Sequence, residues 1–373
     1  MQHFWMLALA AGLWLFSSCD SDTGPQQPDG PGALWSEYTG KADADSLVKV
    51  VLVSGDEEYR SEEALTQLAK ILAKRHGFDC TVLFAQDPAV PGYANPNATG
   101  HIPGLAHLSD AGLLVLFTRF RALPDSQMRH IAQYLESGKP VIGLRTATHA
   151  FHFPDTSSSW RHWGNYYEGE DTAWHGGFGQ LVLGTNWHSH HGHHKHQSTR
   201  GIIPAEARSH PVLNGIASGE IWGPSDVYGL SKPLSAKAKA LVYGQVTENT
   251  GVFDEADLMY GMRESHWAIS STNPGSATHY NPNDPMMPVA WVQPYQLPGG
   301  AEGEALACTM GASTDMLDEE LRRLLVNAAY YLTGRPVPDK ANVDTVGAYA
   351  PTAFGFHDDG YWQTRQWRIP AGY

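Results

Sequence analysis

Val48-Lys49-Val50-Val51-Leu52-Val53-Ser54-Gly55 is the stretch whose pattern decides the fold. A short apolar run ending in a small polar pair fits a strand buried in a sheet. A helix is predicted after it. Ser61 can cap this helix, Glu62 and Glu63 suit its positive end, and Leu65, Leu68, Ala69 and Leu72 form an apolar stripe. Lys74-Arg75-His76 suits the negative end, and Gly77 stops it. Cys80–Phe84 reads as the next strand. The rhythm then repeats: strand Leu113–Phe117, a helix opened by Pro124 and closed by Gly138 with Met128, Ile131, Ala132 and Leu135 on one face, and strand Val141–Leu144. Strand and helix in alternation imply an α/β fold with a parallel sheet and helices on both faces. Ligands of such sheets bind beyond the carboxyl ends of the strands. The loops there are Gly55–Arg60, Thr118–Leu123 and Arg145–Phe153.

Further along, residues 150 to 235 are loop-rich. Ala240–Tyr243, Pro288–Trp291 and Ala305–Thr309 are predicted strands, with a polar excursion between Thr247 and Pro285. The last helix is expected from about Asp315, its cap, to Leu332, ended by Gly334-Arg335-Pro336. Four segments follow: residues 1–19 as a signal peptide, 20–46 as a flexible tether, 47–335 as the α/β domain and 336–373 as a tail wrapping its surface. The apolar run Leu7–Phe16 has signal-peptide length and ends in Phe16-Ser17-Ser18-Cys19. Small residues before a Cys resemble a bacterial lipoprotein cleavage box, with Phe16 where Leu is usual. The expectation is an exported, periplasmic or surface protein that meets the membrane only through lipid on Cys19; an ordinary cleaved secretory signal with Cys19 incidental is the alternative. Cys80 and Cys308 are expected as buried free thiols.

The chain has 373 residues, of which 42% are hydrophobic, enough for one large core or two modest ones. Its net charge of −14 argues against nucleic acid as a partner, since a basic patch would be needed. A second copy of the chain is considered as a partner. The 12 Trp and 16 Tyr read mainly as packing, with a minority available as platforms for sugar rings.

Chemistry concentrates in Trp187–Gly201, W-H-S-H-H-G-H-H-K-H-Q-S-T-R-G, which holds six of the 19 histidines. Imidazole can ligate a metal or move a proton near neutral pH without extreme tuning. His191 and His193 are the candidate base and acid. Trp187, Thr199 and Arg200 are candidate substrate contacts. Gly143–His149 lies on the sharp connection where nucleophile-elbow enzymes place the attacking group. No Cys or Ser stands there, so Arg145 reads as a clamp on developing negative charge, with His149 beside it. An ion pair is an equally good reading of Arg145. Glu57 and Tyr59 in the first loop, and Arg119 and Arg121 after the third strand, could bind a polar ligand. Solvated surface is expected for at least two of Asp56, Glu57 and Glu58. Asp226 could orient a histidine, as carboxylates behind metal-binding or catalytic imidazoles do. A divalent metal is the one cofactor considered, on His149, His175 and His191, although no helical HxxxH spacing supports it.

Together the motifs resemble the ThuA-like (trehalose-utilisation) family. The carrying residues are V-V-L-V-S-G-D-E-E-Y-R-S from Val50, F-T-R-F-R from Phe117, P-V-I-G-L-R-T-A-T-H-A-F from Pro140, G-G-F-G from Gly176, and the histidine run with S-T-R-G. H-P-V-L-N-G-I from His210, M-P-V-A-W from Met287 and T-M-G-A-S-T-D from Thr309 complete the set. The resemblance spans roughly residues 47 to 335. It implies a flavodoxin-like fold of the class I glutamine amidotransferase superfamily, with Arg145 where that superfamily has its catalytic Cys. It further implies carbohydrate catabolism on 3-keto-disaccharides or 3-keto-glycosides, by proton abstraction and elimination or hydrolysis. A non-catalytic carbohydrate-binding lipoprotein using the same cleft is the alternative.

Overall fold

A computed structural model of the chain describes Met1 and residues 32–41, 47–231, 233–249, 251, 253–262, 267–275 and 280–373. The expected signal segment, Cys19 and most of the expected tether lie outside these residues. In chain order the elements begin with β1 (Trp35–Tyr38), β2 (Lys49–Gly55), α1 (Ser61–His76), β3 (Asp79–Phe84) and β4 (Leu113–Thr118). Next come α2 (Asp125–Glu136), β5 (Val141–Leu144), β6 (Trp187–His190), β7 (Gln197–Ile202), β8 (Ile221–Gly223) and β9 (Tyr228–Leu230). The series ends with β10 (Lys239–Asn249), β11 (Trp267–Ile269), β12 (Met287–Gln296), β13 (Glu302–Cys308), α3 (Glu319–Leu332) and α4 (Asp359–Arg365).

Five strands run parallel in the order β3-β2-β4-β5-β13. The first of these in sequence lies between the second and third, which is the flavodoxin order. Alternate residues of β2 feed two cores. Val50 and Leu52 pack with Leu65, Leu68 and Leu72 of α1 and with Leu321, Leu324 and Leu325 of α3. Val51 and Val53 face the opposite way, with Met128, Ile131 and Leu135 of α2, Trp163 and Phe178. Both faces of the sheet are therefore covered, and Cys80 and Cys308 are buried free thiols. No helix among the described residues is long and apolar enough to cross a membrane.

The expected parallel sheet with helices on both faces is present, and β12, β10, β7 and β8 extend it antiparallel beyond β13, while β1 pairs antiparallel with β3. Three other expectations need correction, and one stretch of the extension was silent in the sequence. Buried Ser198 and Thr199 in β7 gave no apolar signal; Thr199 donates to the Ser225 carbonyl at 2.8 Å. Trp35–Tyr38 belongs to the fold and not to a tether, because Tyr38 and Ser36 are buried against it. Ser61 does not cap α1. The preceding position is Arg60 at φ 57°, and the Ser61 hydroxyl instead ties Ser54 (2.7 Å) and the Asp56 amide (3.1 Å). Finally, Asp318 caps α3 through the Leu321 amide, while Asp315 is buried and accepts from Ser225, Gly311 and Ala312.

The segment after α3 runs back along α1. Arg365 pairs with Glu63, Arg60 donates to the Gly355 carbonyl, and the Gly355 amide donates to the Glu58 carbonyl at 2.7 Å.

Candidate active site

The order of the parallel strands reverses at β2 and β4, so their exit loops diverge there and leave a crevice. Chain geometry keeps these loops tight. Asp56 is buried and accepts from the Glu58 amide at 2.7 Å, from the Tyr59 amide and from the Thr146 hydroxyl. Burial and the neighbouring Glu57 raise its pKa to about 6, against the Thr146 bond, which lowers it. Glu57 joins Arg119 and, at 2.6 Å, Arg121. None of the three acids is a solvated surface group: Asp56 and Glu58 are buried, and Glu57 is bound to two guanidiniums. Arg121 is wholly buried, so it fixes the loop and faces no ligand.

Over the crevice lies a cavity of about 320 Å³, lined by Glu58, Tyr59, Arg119, Thr146, His149, Trp187, His190, His194, Lys195, Tyr228 and Phe356. It draws on the exit loops of β2, β4 and β5 and on the histidine run. The run divides its side chains. His190 and His194 turn to Asp226, whose carboxylate is fully buried. His190 Nδ1 lies 3.0 Å from Asp226 Oδ2, and His194 Nδ1 lies 2.9 Å from Oδ1. His194 Nε2 lies 3.1 Å from Glu58. Burial lowers the His194 pKa, yet the bonds to Asp226 and Glu58 outweigh it and raise the value to about 9. His194 is therefore an imidazolium at neutral pH. Burial opposes the charge on Asp226, but both histidines and Arg145 hold its carboxyl well below the usual range. An ionised Asp226 fixes the Nδ1–H tautomer of His190 and leaves Nε2 as its free acceptor.

Arg145 is not a clamp facing the cavity. Its Nη1 donates to the carbonyls of Asp226 and Thr309, each at 2.7 Å, and its Nη2 to Tyr59 Oη (2.9 Å) and Asp226 Oδ1 (3.0 Å). The ion-pair reading holds: Arg145 anchors Asp226 and Tyr59. Its backbone is left-handed, φ 42°, with its carbonyl pinned by Tyr228 Oη at 2.6 Å. Such strain in a bulky residue persists only where the surroundings over-determine it. His149 is buried against Trp187, with ring centroids 5.0 Å apart. Burial first, then Arg119 and Arg145, hold it well below the usual imidazole value, so it stays neutral.

The remaining candidates sit elsewhere. His191 is clasped by the Pro282 carbonyl (2.7 Å) and Tyr280 Oη (3.1 Å), and His193 stacks on His196. Neither lines the cavity, so neither serves as its base or acid. Thr199 and Arg200 secure β7, the latter to the Gly219 carbonyl at 3.0 Å and over Trp222. His175 bonds the Gly169 carbonyl and Glu168, so His149, His175 and His191 do not form one metal set. The donors that do converge are His190, His194 and Asp226, all within 4.8 Å of one another. Sequence reading passed over Glu58, His190, His194, Lys195 and Phe356. For the two histidines, the signal was Asp226 itself, a carboxylate suited to orient an imidazole.

No family model and no curated protein matches this chain. Among solved structures, it is similar to a protein described as ThuA-like from Bacteroides uniformis, at 12% identity and a TM-score of 0.42, over 78% of this chain and 94% of that one. It is also similar to one described the same way from Parabacteroides merdae, at 14% identity and a TM-score of 0.43, over 84% of this chain and 98% of that one.

Proposed function

We propose that the chain is a ThuA-like enzyme of carbohydrate catabolism acting on 3-keto-disaccharides or 3-keto-glycosides. The observation that carries this reading is the carboxylate-oriented His190 at a cavity holding fixed cations. A ketone at C3 acidifies the hydrogen on C2. His190 Nε2 takes that proton, and the enolate charge develops near His194 and Arg119. Burial holds the Tyr59 pKa well above its ordinary value, so its hydroxyl stays protonated and can donate to the enolate oxygen. The C1–O bond then breaks, leaving a C1–C2 double bond conjugated to the ketone, and protonated His190 returns its proton to the departing oxygen. Water then adds across that double bond, its hydroxyl to C1 and its proton to C2, so the net change is hydrolysis. Two things support the reading: the resemblance of the sequence motifs, which implies the substrate class, and an imidazole oriented for proton transfer at the cavity.

Replacing His190→Ala is expected to lower turnover of a 3-keto-glycoside by about 10²-fold or more while its affinity changes little. Unchanged turnover would end the assignment, and binding with no turnover in the parent would favour the non-catalytic binding protein.

The convergence of three donors favours a second reading, in which His190, His194 and Asp226 hold a divalent metal in place of the two imidazole protons. Bound there, it would polarise the ketone as a Lewis acid. The Arg145 guanidinium already on Asp226 weighs against an added cation. Stoichiometric metal in purified protein, lost in His194→Ala, would select this reading. We also place the enzyme outside the cytoplasm, held by lipid on Cys19, on the strength of the apolar Leu7–Phe16 run and the small residues before that Cys. Lipid labelling abolished by Cys19→Ala tests it.

A further inference from the structure

Lys195 lines the candidate active site and takes no part in the proton transfer described above. The histidine run bends sharply around it. The amides of His196 and Gln197 both donate to the His193 carbonyl, at 3.0 and 2.8 Å, and the Gln197 side chain accepts from the His193 amide at 2.7 Å. This turn holds Lys195 at φ 62°, a left-handed conformation that glycine or asparagine adopts at less cost. Such an outlier at a ligand cavity is grounds for seeking a task for its side chain. The ammonium has room made for it: a Cβ on Gly355, in the segment after α3, would lie 3.0 Å from Lys195 Nζ. Among the described residues Nζ forms no hydrogen bond and no ion pair, and it lies 5.2 Å from the centre of the Phe253 ring.

The other charges at the cavity cancel without it. Arg119 and Arg121 face Glu57, with Asp56 behind it. Arg145 and His194 face Asp226, and His194 also meets Glu58. These four cations and four carboxylates offset one another, and a proton on Asp56 would leave the balance more positive. Beyond the lining, Glu255 acts on the same neighbourhood as Lys195, through His357, and Arg60 and Arg365 offset it there. Among the lining residues Lys195 is therefore the charge left unmatched, in a chain whose net charge is −14. An unmatched ammonium at the wall of a cavity favours one negative charge on the ligand. Its compact charge and three donors suit a carboxylate.

We infer that the substrate carries one carboxylate and that Lys195 Nζ binds it. The inference rests on the sugar reading above and adds an acid group to the ligand. That group can sit on the departing portion or at C6 of the oxidised ring. Calorimetry with two matched pairs tests the inference and tells these sources apart. One pair is a p-carboxyphenyl 3-keto-glucoside and its p-carbamoylphenyl counterpart; the other is a phenyl 3-keto-glucuronide and its C6 amide. In one pair the acid is expected to bind about tenfold tighter than the amide, as a hydrogen bond to a charged group allows. In Lys195→Gln the ratio within that pair should fall close to one, and in Lys195→Arg, which keeps the charge, it should persist. Raising salt from ~20 mM to ~0.5 M should shrink the ratio in the parent. Ratios near one in both pairs, or a preference for the acid that survives Lys195→Gln, overturn the carboxylate and leave the sugar reading standing. Loss of both members of a pair in Lys195→Gln and Lys195→Arg alike marks the lysine as structural and also overturns it. Binding of none of the four compounds to the parent ends both readings. Turnover is scored separately: acids that bind preferentially but are not cleaved refute the catalytic reading and keep the Lys195 contact.

Discussion

Replacing Glu58→Gln removes one of the two carboxylates that hold His194 and leaves the shape of the site intact. His194 is bound at Nδ1 by Asp226 (2.9 Å) and at Nε2 by Glu58 (3.1 Å). Burial works against its charge, and those two bonds raise its pKa from 6.5 to about 9. Loss of one anionic partner at this range shifts a pKa by roughly 1–3 units, so His194 in the variant should titrate ~1–2 units lower. The sign for stability follows. A folded pKa above the unfolded one gives stabilisation that is complete below pH 6.5 and is lost as pH rises through about 9. At 1.36 kcal/mol per unit, the whole contribution is about 3 kcal/mol, of which the variant should forfeit roughly half. Imidazole resonances followed by NMR from pH 5 to 10, with Tm over the same range, measure both effects. A variant His194 that titrates within about half a unit of the parent, or a parent value near that of free imidazole, would refute the reasoning.

Two further outcomes are expected. Glu62 is buried with neither carboxylate oxygen bonded, and burial, opposed by the Arg60 charge, raises its pKa from 4.5 to about 7. Its favourable contribution is therefore present below pH 4.5 and lost as pH rises through about 7, so Glu62→Gln should match the parent near pH 4 and be more stable by ~2–3 kcal/mol near pH 8.5. Denaturant melts showing destabilisation at the higher pH would contradict this. Asp315→Ala strands the Ser225, Gly311 and Ala312 donors, which now lie within 2.6–3.0 Å of its oxygens, and should cost ~3–5 kcal/mol. A loss below about 1 kcal/mol in chemical unfolding would show that these bonds hold little of the loop.

The parallel half of the sheet was legible because Val50–Val53, Leu113–Phe117 and Val141–Leu144 are continuous apolar runs between amphipathic helices. The antiparallel extension was less so. β7 is the polar run Gln197–Ile202, where the buried hydroxyls of Ser198 and Thr199 donate to Asn249 and the Ser225 carbonyl and the Arg200 guanidinium donates to the Gly219 carbonyl, and composition cannot distinguish that from a solvated loop. The site showed a similar split. The histidine run was conspicuous, but which rings converge depends on β6 pairing with β9, which carries Tyr228 beside Asp226. That pairing sets two imidazoles on one carboxylate and sends His191 to Tyr280. Period and spacing within the run do not encode it. Arg145 was read on its position at the elbow, yet its partners Asp226 and Thr309 are distant in sequence and only the fold brings them to it. Phe356 lies in a segment with no catalytic pattern at all.

Phe354 stacks near Tyr59 and His194, and Phe356 covers Arg119 (4.9 Å) from a strap that adds no strand to the main sheet. One wall of the pocket is thus owed to the side-chain contacts of a late segment: Arg365 and Thr352 on Glu63, with Phe354 and Ile369 in the core. Substitutions that loosen those contacts would unmake that wall while every pairing of the main sheet stays in place.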